Sequence, residues 1–176
     1  MTSRNQIPTI TTPRLTLRPF APTDIASLHR ILNQPSILQY FPNPEAPVIE
    51  RVQRIIENQL AHWEEHRLGW WAVIPQGQPE LIGWNGLQYL PETDEVEVGY
   101  LLSRQFWGQG LATEGAKASL EFGFKNLSLP QIIGLTHPEN TASQNVLKKC
   151  GMQFTNQAEY FGMQIYRYTL SNPENA

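Results

Sequence analysis

The stretch that most constrains this chain runs over residues 95–124, where a strand pattern gives way to a glycine turn and then to a helical pattern. In Glu95-Val96-Glu97-Val98-Gly99-Tyr100-Leu101-Leu102, acidic and valine side chains alternate with the period of two of a half-buried strand. Beyond Gly108 and Gly110, Ala112, Ala116, Leu120 and Phe124 recur every four residues, along one face of a helix. A helix that starts directly after glycines leaves its first N–H groups unpaired at the positive end of its dipole. Such groups can hold an anion, typically a phosphate. Two common uses of such glycines fail on spacing. No Lys-Ser/Thr pair follows as in a P-loop, and Thr113 stands where G-x-G-x-x-G needs its third glycine.

The flanking chain supplies further strands and helices. Leu15 and Leu17 alternate with Arg14, Thr16 and Arg18 in a first strand within residues 11–20, bracketed by Pro13 and Pro19. Thr23 or Asp24 can cap a helix through Ile25, Leu28, Ile31 and Leu32. Residues 37–47 are proline-rich and read as a loop or a broken helix, either a substrate wall or a plain connector. A second amphipathic helix covers residues 48–66, with Gly69 marking its end. Residues 70–74 and 81–87 then form a hairpin of two strands. After the central helix come a strand at 129–135, a helix at 141–149 with Gly151 at its C′ position, and a closing antiparallel pair at 152–155 and 163–170. The order is strand, two helices, three strands, helix, strand, helix, two strands. One domain over residues 9–170 is expected, with flexible ends at 1–8 and 171–176.

The composition excludes several classes. With 13 basic against 16 acidic residues and a net charge of -3, the chain lacks the basic footprint of a nucleic-acid binder. Its single cysteine, Cys150, leaves no disulfide framework and no cysteine-rich metal site, so no metal is expected. Neither a signal peptide nor an apolar run of about 18 residues is found, and a cytoplasmic protein is expected.

Four stretches in order and spacing resemble the GNAT superfamily of N-acetyltransferases, in the branch that holds the ribosomal-protein alanine N-acetyltransferases. They are Thr12-Pro13-Arg14-Leu15-Thr16-Leu17-Arg18-Pro19; Leu81-Ile82-Gly83; Glu97-Val98-Gly99-Tyr100 with Trp107-Gly108-Gln109-Gly110-Leu111-Ala112-Thr113-Glu114; and Asn140-Thr141-Ala142-Ser143 with Lys148-Lys149-Cys150-Gly151-Met152. The resemblance implies an α/β fold: a mixed, largely antiparallel sheet with helices on both faces, split by its cosubstrate acetyl-CoA. It further implies direct acetyl transfer to a primary amine, on a protein N-terminus or on a small molecule. Nucleic acid and membrane are not expected as partners, and a homodimer is left open. A non-catalytic acyl-CoA-binding sensor or interaction module is the alternative.

By the same resemblance, the backbone N–H groups of Gly108, Gln109, Gly110, Leu111, Ala112 and Thr113 face the pyrophosphate of coenzyme A, with Glu114 outside the direct contacts. Tyr100, Leu101 and Leu102 offer backbone groups to the pantetheine arm and one N–H to the thioester oxygen. Asn140 bonds the amide arm, and Ser143 protonates or hydrogen-bonds the departing thiolate. Helix capping would explain Asn140 and Ser143 equally. Glu97 is the first choice of base, ahead of Glu95 and His137, although both glutamates suit the solvated face of an antiparallel strand. Two positions depart from the superfamily: Trp107 replaces the common Arg or Gln, as is usual within this branch, and Leu147 falls where many members carry a general-acid tyrosine. Cys150, without a paired histidine, reads as structural, and Trp63, Trp70, Trp71 and Trp84 read as core.

Overall fold

Alternating apolar residues along the strands give the sheet two buried faces, and each face takes a pair of helices. The computed structural model describes residues 6–175. Its strands are β1 (Ile10–Thr11), β2 (Leu15–Arg18), β3 (Trp70–Pro75), β4 (Gly83–Leu90), β5 (Glu95–Leu102), β6 (Gln131–Thr136), β7 (Gln153–Tyr160) and β8 (Met163–Ser171). Its helices are α1 (Ile25–Leu32), α2 (Ile49–His66), α3 (Leu111–Leu127) and α4 (Thr141–Lys149). The eight strands form one sheet in the order β1-β2-β3-β4-β5-β6-β8-β7, antiparallel throughout except for β5 beside β6. This is the mixed, largely antiparallel sheet expected.

On one face, Leu28 and Ile31 of α1 and Val52 and Ile56 of α2 pack on Ala72, Ile74, Trp84 and Leu101. On the other, Ala116, Leu120 and Phe124 of α3 and Leu147 of α4 pack against Leu17, Trp71, Val73, Val98 and Leu102. Burying one of these Leu, Ile, Val or Phe side chains contributes about 1.5–3 kcal/mol. The alternation along β5 therefore puts Glu97 on the α1–α2 side with Leu101, and Tyr100 on the α3–α4 side with Val98 and Leu102. A third cluster, Leu90, Ile133, Tyr160 and Ile165, forms where the β7–β8 hairpin curls across the α1–α2 side. A register shift between Phe154 and Asn156 supplies the extra twist for that curl.

Several element boundaries differ from the sequence reading. The first strand splits into β1 and β2. Asp24 sits in a 3-10 turn (Pro22–Asp24), where its carboxylate takes the Ala21 N–H at 2.8 Å and Arg18 at 2.7 Å rather than capping α1. α2 stops at Arg67, in the left-handed region at φ 62°, with its N–H bonded to Trp63 O. Gly69 has another role, since a Cβ there would lie 2.5 Å from the Trp63 ring. The strand expected at 152–155 extends to Tyr160, held by its ladder to β8 despite a polar sequence. The flexible ends expected at 1–8 and 171–176 lie partly outside the described residues. Of the described part, Pro8 O accepts the Trp71 indole N–H at 2.8 Å, and Asn172 is buried with its side chain bonded to Leu129 O.

Candidate active site

The glycine turn presents an uninterrupted row of free donors. The Trp107 N–H bonds Arg104 O at 3.1 Å, and the next paired N–H is that of Glu114, to Gly110 O at 3.0 Å. Between them, the N–H groups of Gly108, Gln109, Gly110, Leu111, Ala112 and Thr113 have no acceptor among the described residues. Gly108 and Gly110 take φ of 72° and 76°, the left-handed conformation that a glycine adopts without strain. The turn is tied down from outside. Glu114 receives Thr12 Oγ1 at 2.6 Å, Arg14 N–H at 2.8 Å and Arg14 Nε at 2.6 Å, while Arg14 Nη1 donates to Gln109 O at 2.8 Å. Burial pushes the Glu114 carboxyl up, but these bonds outweigh it and hold the group below its ordinary range. Trp107 closes the other end by donating its indole N–H to Leu102 O at 2.7 Å, under the Arg104 guanidinium.

β5 and β6 are in register only at Glu97 and Ile133, and beyond that point the two parallel strands part. The Ser103 N–H bonds Ile82 O, so the period of two turns the backbone groups of Leu101 toward β4. Those of Tyr100 and the N–H of Leu102 then face the gap. Leu101, expected among the contacts to the pantetheine arm, is thus directed to β4, and its side chain is buried on the α1–α2 side. The gap opens toward the free amides of the turn. The unpaired donors of the turn and the unladdered strand edge are groups that an anionic ligand with an extended polar arm would satisfy.

α4 closes the gap on one side. Asn140 is its N-cap, accepting the Ser143 N–H at 3.1 Å through Oδ1, which leaves only the amide Nδ2 to donate to a ligand carbonyl. The Ser143 hydroxyl lies 3.0 Å from the Tyr100 hydroxyl, which also donates to Ser143 O at 3.1 Å. Burial drives the Tyr100 phenol well above its ordinary range and outweighs the Ser143 bond, and nearby Cys150 and Glu97 act in the same direction. Leu147, 1% exposed, is packed so closely on Gly134 that a Cβ there would lie 2.5 Å from Leu147 Cδ2. It is a core position with no route to the gap. Cys150 is also structural: burial raises its thiol to about 11, and its contact is Thr113 O.

The two glutamates of β5 are separated by their surroundings. Glu95 accepts Tyr160 Oη at 2.7 Å and Arg167 Nη2 at 2.5 Å, and these bonds overcome burial to hold its carboxyl low. It anchors the β7–β8 hairpin. Glu97, on the same face where the strands part, has no hydrogen-bond partner among the described residues, and desolvation raises its carboxyl to about 8 although it keeps some contact with solvent. His137 is half-buried, its ring stacked on Tyr40 at 5.2 Å, with Nδ1 taking the Glu139 N–H. That stack brings the loop between α1 and α2 to the end of β6, while the curled hairpin stands over Glu95. Phe41 meets Trp84, itself stacked on Trp70 at 3.7 Å, so these tryptophans pack as core. Among the described residues, no group of three or more His, Cys, Asp or Glu could hold a metal ion.

Sequence reasoning missed the roles of Arg14 and of the Tyr100 side chain. Arg14 stands inside one of the four recognised stretches, but its link to Glu114 spans 100 residues and no periodicity signals it. The role of the Tyr100 side chain leaves no mark in the sequence, because its partner Ser143 lies 43 residues away on another element.

The family model for the acetyltransferase (GNAT) domain matches residues 14–153. A protein of Aspergillus fumigatus named FsC-acetyl coenzyme A-N(2)-transacetylase is 37% identical over 92 residues, which span 48% of this chain and 38% of that protein. Spermidine N(1)-acetyltransferase of Escherichia coli K12 is 26% identical over 161 residues, 88% of this chain and 82% of that enzyme. The crystal structure of an acetyltransferase from Agrobacterium tumefaciens superimposes with a TM-score of 0.83 at 26% identity, covering 97% of this chain and 98% of that one.

Proposed function

The chain belongs to the GNAT acetyltransferase family, and from that premise we propose that it acetylates a primary amine, carried by a peptide N-terminus or by a small molecule. The enzyme is an acetyl-CoA-dependent N-acetyltransferase. Bound acetyl-CoA supplies a thioester carbonyl for the amine to attack and a thiolate to leave. In this reading the free amides of Gly108 to Thr113 hold the pyrophosphate, each contact to the helix N-terminus contributing about 0.3–2 kcal/mol. The open edge of β5 at Tyr100 and Leu102 takes the pantetheine arm, and Asn140 Nδ2 donates to one of its carbonyls. Backbone N–H groups fixed along that edge stabilise developing negative charge without reorganising.

Glu97 takes the proton that the amine loses, directly or through one water. A base works best with a pKa near the working pH, and a carboxyl raised to about 8 fits an amine far better than one at its ordinary value. The Ser143 hydroxyl would supply a hydrogen bond to the departing thiolate. The observation that carries this reading is the unpaired, desolvated Glu97 at the point where β5 and β6 part. Two acceptor classes have support: one relative is named for spermidine, and the Asn140-x-x-Ser143 and Thr12-x-Arg14 patterns resemble the branch that acetylates ribosomal-protein N-termini.

Incubation with acetyl-CoA and, separately, spermidine, an alanine-initial peptide and a serine-initial peptide, with products identified by mass, tests the acceptor. Acetylation at an amine nitrogen in one arm is expected. Acetyl transfer to hydroxyl or thiol acceptors with none to these amines would contradict the reading.

A further inference from the structure

We propose that Tyr100 is a positioning residue for the Ser143 hydroxyl: it holds that hydroxyl at the β5–β6 gap and turns its proton toward the sulfur of bound coenzyme A. The inference rests on the role given to Ser143 above and goes beyond it. Its basis is a pair of short contacts across two elements, Tyr100 Oη to Ser143 Oγ at 3.0 Å and to Ser143 O at 3.1 Å.

A phenol has one proton to give, so the pair has two arrangements. In one, Tyr100 donates to the Ser143 carbonyl and Ser143 Oγ–H donates back to Tyr100. In the other, Tyr100 donates to Ser143 Oγ, which frees the serine proton to point into the gap. The first suits a neutral thioester. Charge building on sulfur favours the second, because a hydrogen bond to an ionised acceptor is about twice as strong as a neutral one. No proton leaves Tyr100 in either case, and burial keeps its phenol protonated throughout. A serine alone would lose its orientation to any nearby carbonyl.

The strand position explains why this tyrosine can act. Its backbone faces the gap, its side chain lies on the α3–α4 side, and α4 places Ser143 within reach at the end of that side chain. The superfamily's usual tyrosine position is Leu147, sealed in the core, so the phenol that approaches this end of α4 comes from the sheet.

The competing reading makes Tyr100 only a strut that docks α4 on β5. Titration of the thiol of bound coenzyme A separates the two. Thiolate absorbance, as a difference against unliganded protein, is followed in the wild type and in Tyr100→Phe, Ser143→Ala and the double variant, with coenzyme A affinity measured alongside. Loss of the serine should make the bound thiol about tenfold harder to ionise, the scale of one charge-assisted hydrogen bond. Tyr100→Phe should reproduce most of that loss, and the double variant should match Ser143→Ala, with coenzyme A affinity little changed near neutral pH, where the thiol is un-ionised, and lowered in proportion to the titration shift at alkaline pH. A Tyr100→Phe titration equal to the wild type, with Ser143→Ala displaced, would overturn the inference and leave the function of Ser143 standing. Losses that multiply in the double variant would also overturn it. Wild-type titration in Ser143→Ala would remove the underlying role of Ser143 as well.

Discussion

Glu95 and Glu97 stand two residues apart on one strand face, yet their surroundings move them in opposite directions. Glu97 is held above its unfolded value, so the unfolded chain gives up this proton first. The resulting penalty is absent below about 4.3, grows as pH rises, and is complete above about 8. Glu97→Gln should therefore raise Tm relative to wild type at about pH 9 and change it little at about pH 4, in thermal unfolding at both values. Equal shifts at both would show that Glu97 is well solvated. Glu95 has the opposite sign: its depressed pKa contributes stability that is present above the unfolded value and lost as pH falls through the folded one. Glu95→Ala leaves Arg167 and Tyr160 without their acceptor, partly shielded from water, and should cost about 1–3 kcal/mol in denaturant unfolding at neutral pH. The sequence made both glutamates candidates with Glu97 ahead. It could not separate them physically, because the separating partners, Tyr160 and Arg167, come from a hairpin more than 60 residues away.

At the scale of elements, the strand-turn-helix of β5 and α3 was legible from the outset because its signals are local: alternation, glycines and a four-residue repeat. The parting of β5 from β6 was not legible, since a missing ladder leaves no mark on either strand's own pattern. β7 was read short for the same reason in reverse, a polar strand whose only signal is its partner β8. The turn also depends on an element far from it. Arg14 bonds Glu114 and the Gln109 carbonyl, and its Nη2 lies 3.5 Å from where a Cβ on Gly110 would stand. Arg14→Ala should loosen the row of free amides and weaken acetyl-CoA binding by up to about tenfold, the ion pair being half open to solvent. Isothermal titration measures this, and turnover at saturating acetyl-CoA should change much less. A lowered turnover with unchanged affinity would instead assign Arg14 to the reacting end of the site.

Across the whole molecule, a single sheet serves two purposes by opening at one seam. Two helices on each face close the core, and the seam between β5 and β6, continuous with the turn at Gly108 to Thr113, is where we propose the cosubstrate arm binds. The loop at Tyr40 and the curled hairpin at Tyr160 stand on the face that carries Glu97. Among the described residues no helix is long and apolar enough to cross a membrane. Thermal unfolding with acetyl-CoA, coenzyme A, ATP and NAD tests the seam as a unit, since a ligand at 100 times its Kd adds about 2.7 kcal/mol to stability. The two coenzyme A species alone should raise Tm. The central claim, that Glu97 receives the amine proton in this seam, is tested most directly by the pH dependence of kcat/KM for wild type and Glu97→Gln with one low-pKa amine that stays neutral over the range. The account predicts a wild-type rate that rises with pH and levels above about 8, and a Glu97→Gln rate that is much lower and without that rise. A variant with the same rise and a wild-type rate would contradict it.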